Sequence, residues 1–316
     1  MHQYLDAIGF KNIFTRESEI EQMLDNLFQS YDNRQAARET IPGCAFLEVS
    51  KSYGPGMGIR LCGQMDADGF HRTFYFPYLE RSLNSATREV TVDRKGNGEG
   101  FYGMIDDGRE GVSIIFHLQN PALVMKYGFQ STLSSTKVSV TLTGLSDNGM
   151  ILLGHKQPAP EEQQLRRADD QERMSLVIAA KGGSEDAAQS LTMADMDTYA
   201  MLARRIRTED IYTIVESSFM PTGLECDLYK VVGTILFYTR VRNALTRQQV
   251  YQLTVDCNGI PIDICINRED LLGEPDVGRR FKGNIWLQGR LRLDEETDRE
   301  ETGRLEEVLN QEESVR

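Results

Sequence analysis

The residues best able to do chemistry crowd into RRFKGNIWLQGRLR, residues 279–292, around the chain's single tryptophan. Arg280, Lys282, Asn284, Trp286, Gln288, Arg290 and Arg292 fall on alternate positions there. Alternate side chains of an extended strand share a face. Phe281, Ile285, Leu287, Leu291 and Leu293 therefore mark the inward side, and the cationic row is expected outward. Cations interrupted by an aromatic suit a protein partner or a single-stranded nucleic acid, whose bases stack on aromatics at about 1–3 kcal/mol each. The expected binding face comprises Arg280, Lys282, Trp286, Gln288, Arg290 and Arg292. The bland alternative has the indole packed beneath a helix or another domain, with the arginines paired to Glu269, Asp270, Glu274 or the acidic tail.

Other candidates are weaker. Gly96, Gly98 and Gly100 in RKGNGEGFYG resemble a phosphate-cradling loop, but a β-like run follows them rather than a helix, so a hairpin turn is expected. His117 lies beside Gln119 and Asn120 in IIFHLQNP, where a ligand cluster competes with an ordinary core histidine. No G-x-S-x-G occurs. The nearest enzyme-like set is Glu216, Asp227 and Cys265, a hydrolase or transferase site only if the fold brings them together between two domains. Cys44, Cys62, Cys226, Cys257 and Cys265 form no C-x-x-C, and with four histidines they give no zinc spacing. No catalytic, cofactor-binding or metal-ligating residue is assigned, and no cofactor is expected.

The elements that must position these residues follow from periodicity. Ser18 and Glu21 resemble a capping box before Ile20, Met23, Leu24, Leu27 and Phe28, which predicts a helix over about 16–38. Short β-rich runs punctuated by Gly54, Pro55, Gly56 and Asp66 to Gly69 then predict an antiparallel meander. Residues 157–173 read as a connector, MSLVIAA as a strand, and a second helix opens at Thr192. Over 211–293 alternation is clean, with a tight join at Cys257, Asn258 and Gly259, and glycines at 233, 283 and 289 of the kind small closed barrels use to bend. The expected fold is α+β: two β-rich domains with antiparallel sheets and a few helices, the second containing an OB-like small barrel. The expected units are 1–156, a linker at 157–173, 174–293, and a flexible acidic tail at 294–316.

The net charge is −13, and the tail alone holds ten acids against three arginines. Such a balance repels nucleic acid and anionic lipid. No apolar run approaches the roughly 18 residues that span a bilayer, and MHQYLDAIGF lacks a secretory pattern, so a cytoplasmic protein without membrane contact is expected.

MHQYLDAIGF together with CINREDLLGEPDVGRRFKGNIWLQG resembles a family of roughly 300-residue cytosolic proteins from clostridial Firmicutes, a domain of unknown function with no assigned activity. The resemblance implies a bacterial cytosolic origin and no catalytic or cofactor residue. The functional expectation is a non-catalytic binding or adaptor protein that contacts a protein partner through the outer face of the last strand. The alternatives are single-stranded nucleic acid on the same face, gated by the tail, and the hydrolase or transferase above.

Overall fold

The computed structural model describes residues 2–38, 44–81, 87–88, 90–96, 100–107, 112–127, 138–154, 160–205, 215, 217–222 and 227–293. The acidic tail, Cys226, Glu216 and His155 lie outside them. A 3-10 turn, Gln3–Ile8, buries Tyr4, Leu5, Ala7 and Ile8. Helix α1, Glu17–Gln29, buries Ile20, Met23, Leu24 and Leu27. Its start is fixed by Glu19, whose carboxylate accepts the amides of Thr15 (2.8 Å) and Arg16 (3.3 Å).

The helix stops short of residue 38. Residues 33–38 instead form strand β1, Asn33–Arg38, antiparallel to β2, Ala45–Gly54. NRQAAR carries no apolar stripe to extend the helix, and its backbone polar groups are satisfied on the edge of β2. β3, Met57–Asp66, and β4, Gly69–Leu79, complete a four-stranded antiparallel sheet in chain order. The turns are those the sequence offers: Gly56 takes φ +68°, and Asp66 Oδ1 accepts the amides of Asp68 and Gly69.

A larger mixed sheet takes in β5 (Thr87–Arg88), β6 (Val90–Arg94), β7 (Phe101–Asp107), β8 (Val112–Leu118) and β9 (Val138–Leu152), with α2 (Pro121–Tyr127) between the last two. Two long helices follow, α3 (Pro160–Lys181) and α4 (Glu185–Arg205), packed on each other. The sheet resumes with β10 (Ser218–Pro221), β11 (Leu228–Arg242), β12 (Gln249–Cys257), β13 (Ile260–Asn267), β14 (Leu271–Leu272) and β15 (Arg280–Leu293). MSLVIAA, expected as a strand, forms the end of α3, closed by Gly183 at φ +91°. Ser184, whose hydroxyl accepts the Ala187 amide at 3.3 Å, caps α4, which begins at Glu185, seven residues ahead of Thr192. Among the described residues no helix is long and apolar enough to cross a membrane.

Strand order in the large sheet is β10-β11-β12-β13-β9-β15-β8-β7-β6, with β13–β9 and β15–β8 parallel. β9 and β13 come from opposite sides of the connector expected at 157–173, so one hydrogen-bonded sheet runs through both halves. β11 has a bulge between Ile235 and Phe237. Its first half pairs with β15 and its second with β12, so the pairings β11–β12–β13–β9–β15–β11 return on themselves. Asn258 (φ 54°) and Gly259 (φ 79°) make the two-residue hairpin between β12 and β13. Gly289 lets β8 approach β15 closely: a Cβ there would lie 2.2 Å from the Phe116 ring.

β15 is buried on both faces. Phe281, Ile285, Leu287 and Leu291 point into the core as expected. The opposite face, expected in water, is largely covered by β4 and the N-terminal turn. Gln288 is fully buried and donates to the Pro77 carbonyl at 2.8 Å, Trp286 is 5% exposed, and Arg280 donates to the Leu153 and Val215 carbonyls. Arg290 pairs with Glu80. Lys282 is half-buried, and Arg292 alone of the six is exposed. Alternation sorts side chains by face; it does not report whether a second layer covers that face.

Arg290 belongs to an interior ionic cluster between the sheets. Arg60 on β3 lies 3.3 Å from Glu48 and 2.6 Å from Glu80, and also donates to the Gln119 carbonyl. Burial pushes the Glu48 carboxyl upward against the pull of the Arg60 charge.

Candidate functional site

Beside this interior layer a cleft of about 990 Å³ opens between the edge of the large sheet and β4, under the N-terminal turn. Its walls follow from alternation. β6 contributes Thr91 and Asp93 and leads into Lys95, β7 gives Tyr102 and Met104, β8 gives Ile115 and His117, and β4 gives Phe74 and Phe76. β15 supplies Trp286, the start of β11 supplies Asp227 and Leu228, and the N-terminal turn brings His2 and Tyr4.

At its base the aromatic rings interlock. Tyr4 stacks on Trp286 (5.4 Å between centroids), His2 lies 4.7 Å from it, and His117 sits 4.6 Å from Trp286 and edge-on to Phe76 at 4.5 Å. Asp227 ties this base together: its Oδ2 accepts Trp286 Nε1–H at 2.9 Å and Lys95 Nζ at 2.6 Å. Lys95 starts from the glycine-rich hairpin, whose ends meet through Lys95 N–H donating to the Gly100 carbonyl at 2.9 Å. Gly100, at φ +129°, lets that hairpin close over the imidazole; a Cβ would stand 2.9 Å from His117 Cε1. Gly96 and Gly100 thus lie in the connection of the antiparallel β6–β7 pair, the hairpin expected of this stretch, Gly98 lies outside the described residues, and Gly100 makes room for His117.

His117 is the anomaly. It is 2% exposed, and neither ring nitrogen has a hydrogen-bond partner among the described residues. Burial, reinforced by the positive charge of Lys95, holds its affinity for protons well below that of a free imidazole. The ring is neutral at pH 7, with one donor and one acceptor unused. An unpaired buried polar group costs about 1–3 kcal/mol. His2 behaves alike: burial first, then Lys95, lowers it to about 4.

Two imidazoles kept neutral by burial predict acid sensitivity. The unfolded chain takes up protons below about pH 6.5 while the folded one does not. Stability is therefore complete above that pH and is lost as pH falls towards the folded values, about 4 for His2. The slope approaches about 1.4 kcal/mol per pH unit for each imidazole over the range where it is protonated unfolded and neutral folded. In urea titrations at pH 7 and pH 5, His117→Phe should remove most of the His117 share of that slope; an unchanged slope would assign it elsewhere.

Of the residues singled out from sequence, Trp286, Asp227 and His117 meet in this cleft. Cys265 does not join them: it is fully buried in β13, its thiol donates to the Ala7 carbonyl, and burial pushes it up to about 12. The proposed pairing of Asp227 with Cys265 is therefore absent. Arg280, Lys282, Gln288, Arg290 and Arg292 do not line the cleft. Sequence reasoning missed Lys95, Tyr102 and the N-terminal His2 and Tyr4, because their convergence depends on how the two sheets stack. Among the described residues no group of three or more His, Cys, Asp or Glu side chains is placed to hold a metal ion.

No curated protein and no solved structure matches the chain. Residues 5–289, which include Lys95, His117, Asp227 and Trp286 but not His2 or Tyr4, match the model of one family. The chain belongs to the family described as "Domain of unknown function, E. rectale Gene description (DUF3881)".

Proposed function

We propose that this is a binding protein whose ligand is a small molecule held in the cleft between the sheets, rather than a partner docked on the face of the last strand. The observation that carries this is His117: a buried, neutral imidazole with neither nitrogen satisfied, at the base of a concave site rich in aromatic side chains. Its volume lies within the range of pockets that enclose drug-sized ligands, and a ligand group reaching His117 would supply the missing hydrogen bond. The circuit of pairings through β11, β12, β13, β9 and β15, with a bent first strand and one parallel pair, supports an OB-like barrel as the rigid body behind the cleft. Trp286 and His117 sit on strands β15 and β8, and Asp227 is held on the turn into β11 by Trp286 and Lys95, which favours a preformed site.

A thermal-shift screen of drug-sized compounds tests this, run on the wild type and on Thr91→Trp, which fills the cleft from its exposed rim. A ligand at 100 times its Kd stabilises by about 2.7 kcal/mol. Hits are expected for the wild type and lost in the variant. An identical hit list for both, or none for either, contradicts a ligand site in the cleft.

A further inference from the structure

We propose that the cleft selects an uncharged, planar aromatic molecule bearing one hydrogen-bonding group at its edge, and discriminates against anions. This rests on the cleft being the ligand site and adds the class of ligand.

The charge pattern decides the first part. The two cations lining the cleft are already matched, Lys95 to Asp227 at 2.6 Å and Arg72 to Glu21 at 2.5 Å. A phosphate or carboxylate entering the cleft has to displace one of those carboxylates, and it meets exposed Asp93 at the rim. Like charges juxtaposed in a partly desolvated site are strongly unfavourable. A cationic ligand fares little better, because the Lys95 ammonium already stands 6.0 Å from the Trp286 ring, where a bound cation would sit.

The walls decide the second part. Phe74, Tyr75, Tyr102 and Met104 present flat or compliant apolar surface between the base and the rim, which suits a planar ring. At the base His117 offers one donor and one acceptor with no competing partner in the described residues. A ligand with a hydroxyl, ring nitrogen or carbonyl at its edge satisfies one of them. A bare hydrocarbon leaves both unmet.

Three probes sharing one ring system separate these terms: 2-naphthol, naphthalene and naphthalene-2-sulfonate, each measured by equilibrium dialysis against the full chain. The expected order places 2-naphthol tightest, naphthalene about 3–10-fold weaker through the lost hydrogen bond, and the sulfonate weakest, at least about 10-fold below 2-naphthol. His117→Phe should erase the advantage of 2-naphthol over naphthalene while leaving the sulfonate excluded. A sulfonate that binds as well as 2-naphthol, or naphthalene equal to 2-naphthol on the wild type, overturns the ligand class and leaves the cleft standing as a site. If none of the three binds, or if 2-naphthol binds Thr91→Trp as tightly as wild type, the cleft itself is not the site and this inference falls with it.

Discussion

Trp286→Ala is expected to cost about 3–5 kcal/mol of folding stability, the range for deleting a large buried aromatic. The indole is 5% exposed, stacks on Tyr4, touches His2 and His117, and donates to Asp227. Its removal opens a void beneath the N-terminal turn that those rings cannot fill without leaving their own contacts. It also removes one of the two groups that hold Asp227 Oδ2, leaving Lys95 as the remaining partner of that oxygen. Trp286→Phe keeps much of the ring contact and loses the indole N–H, so it should cost less than half as much. Urea unfolding of the three proteins checks this. A tryptophan on a docking face predicts the reverse, with unfolding midpoints unchanged by either substitution.

Arg60→Met should be comparably damaging, by about 3–5 kcal/mol, because it breaks a buried ion pair from one side and leaves the Glu48 carboxylate uncompensated, Glu80 keeping Arg290. Arg60 is 4% exposed and Glu48 equally so; Arg60 also reaches Glu80, the Gln119 carbonyl and the face of Tyr78 at 4.8 Å. The cluster joins three parts of the fold: β2 and β3 of the small sheet, the end of β4, and β15 of the large sheet through Arg290. Adding Glu48→Gln to Arg60→Met removes one stranded charge and should recover part of the loss, giving a clear coupling in a double-mutant cycle. A cost below about 1 kcal/mol for Arg60→Met would mean that solvent reaches the cluster and screens it.

Both predictions concern residues whose types were visible in the sequence and whose surroundings were not. The inward face of β15, the Asn258–Gly259 hairpin and the turns at Gly56 and Asp66 were readable because each depends on neighbours a few positions away; the capping of α1, expected at Ser18 and Glu21, is made instead by Glu19 on the amides of Thr15 and Arg16. The coverage of Trp286 and Gln288 was not, since it depends on β4 and on residues 2–8, more than two hundred positions distant. Arg60 is the one charge in the apolar strand segment MGIRLCG, and it drew no reading in sequence because its partners Glu48, Glu80 and the Gln119 carbonyl come from other elements. β1 escaped because NRQAAR has neither period; it is a strand because an edge was open to it. In MSLVIAA, short apolar length cannot distinguish strand from helix, and the 22-residue span of α3 decided the matter.

The cleft shows the same division. His117 beside Gln119 and Asn120 drew attention in sequence, and the structure separates them: Gln119 and Asn120 knit β8 to β15 and β4 through buried hydrogen bonds, while His117 is left without one. Neighbouring polar residues at the end of β8 and just past it thus divide between holding the sheets together and facing the cleft.

Because the chain has a single tryptophan, its indole N–H gives one proton resonance, and that proton sits at the base of the cleft on Asp227. Following it during a titration with 2-naphthol tests the account most directly. A resonance that exchanges slowly with water and shifts saturably as the ligand enters is the predicted result. One that exchanges as fast as a free indole, or that stays fixed while 2-naphthol binds, would contradict a functional cleft walled by Trp286.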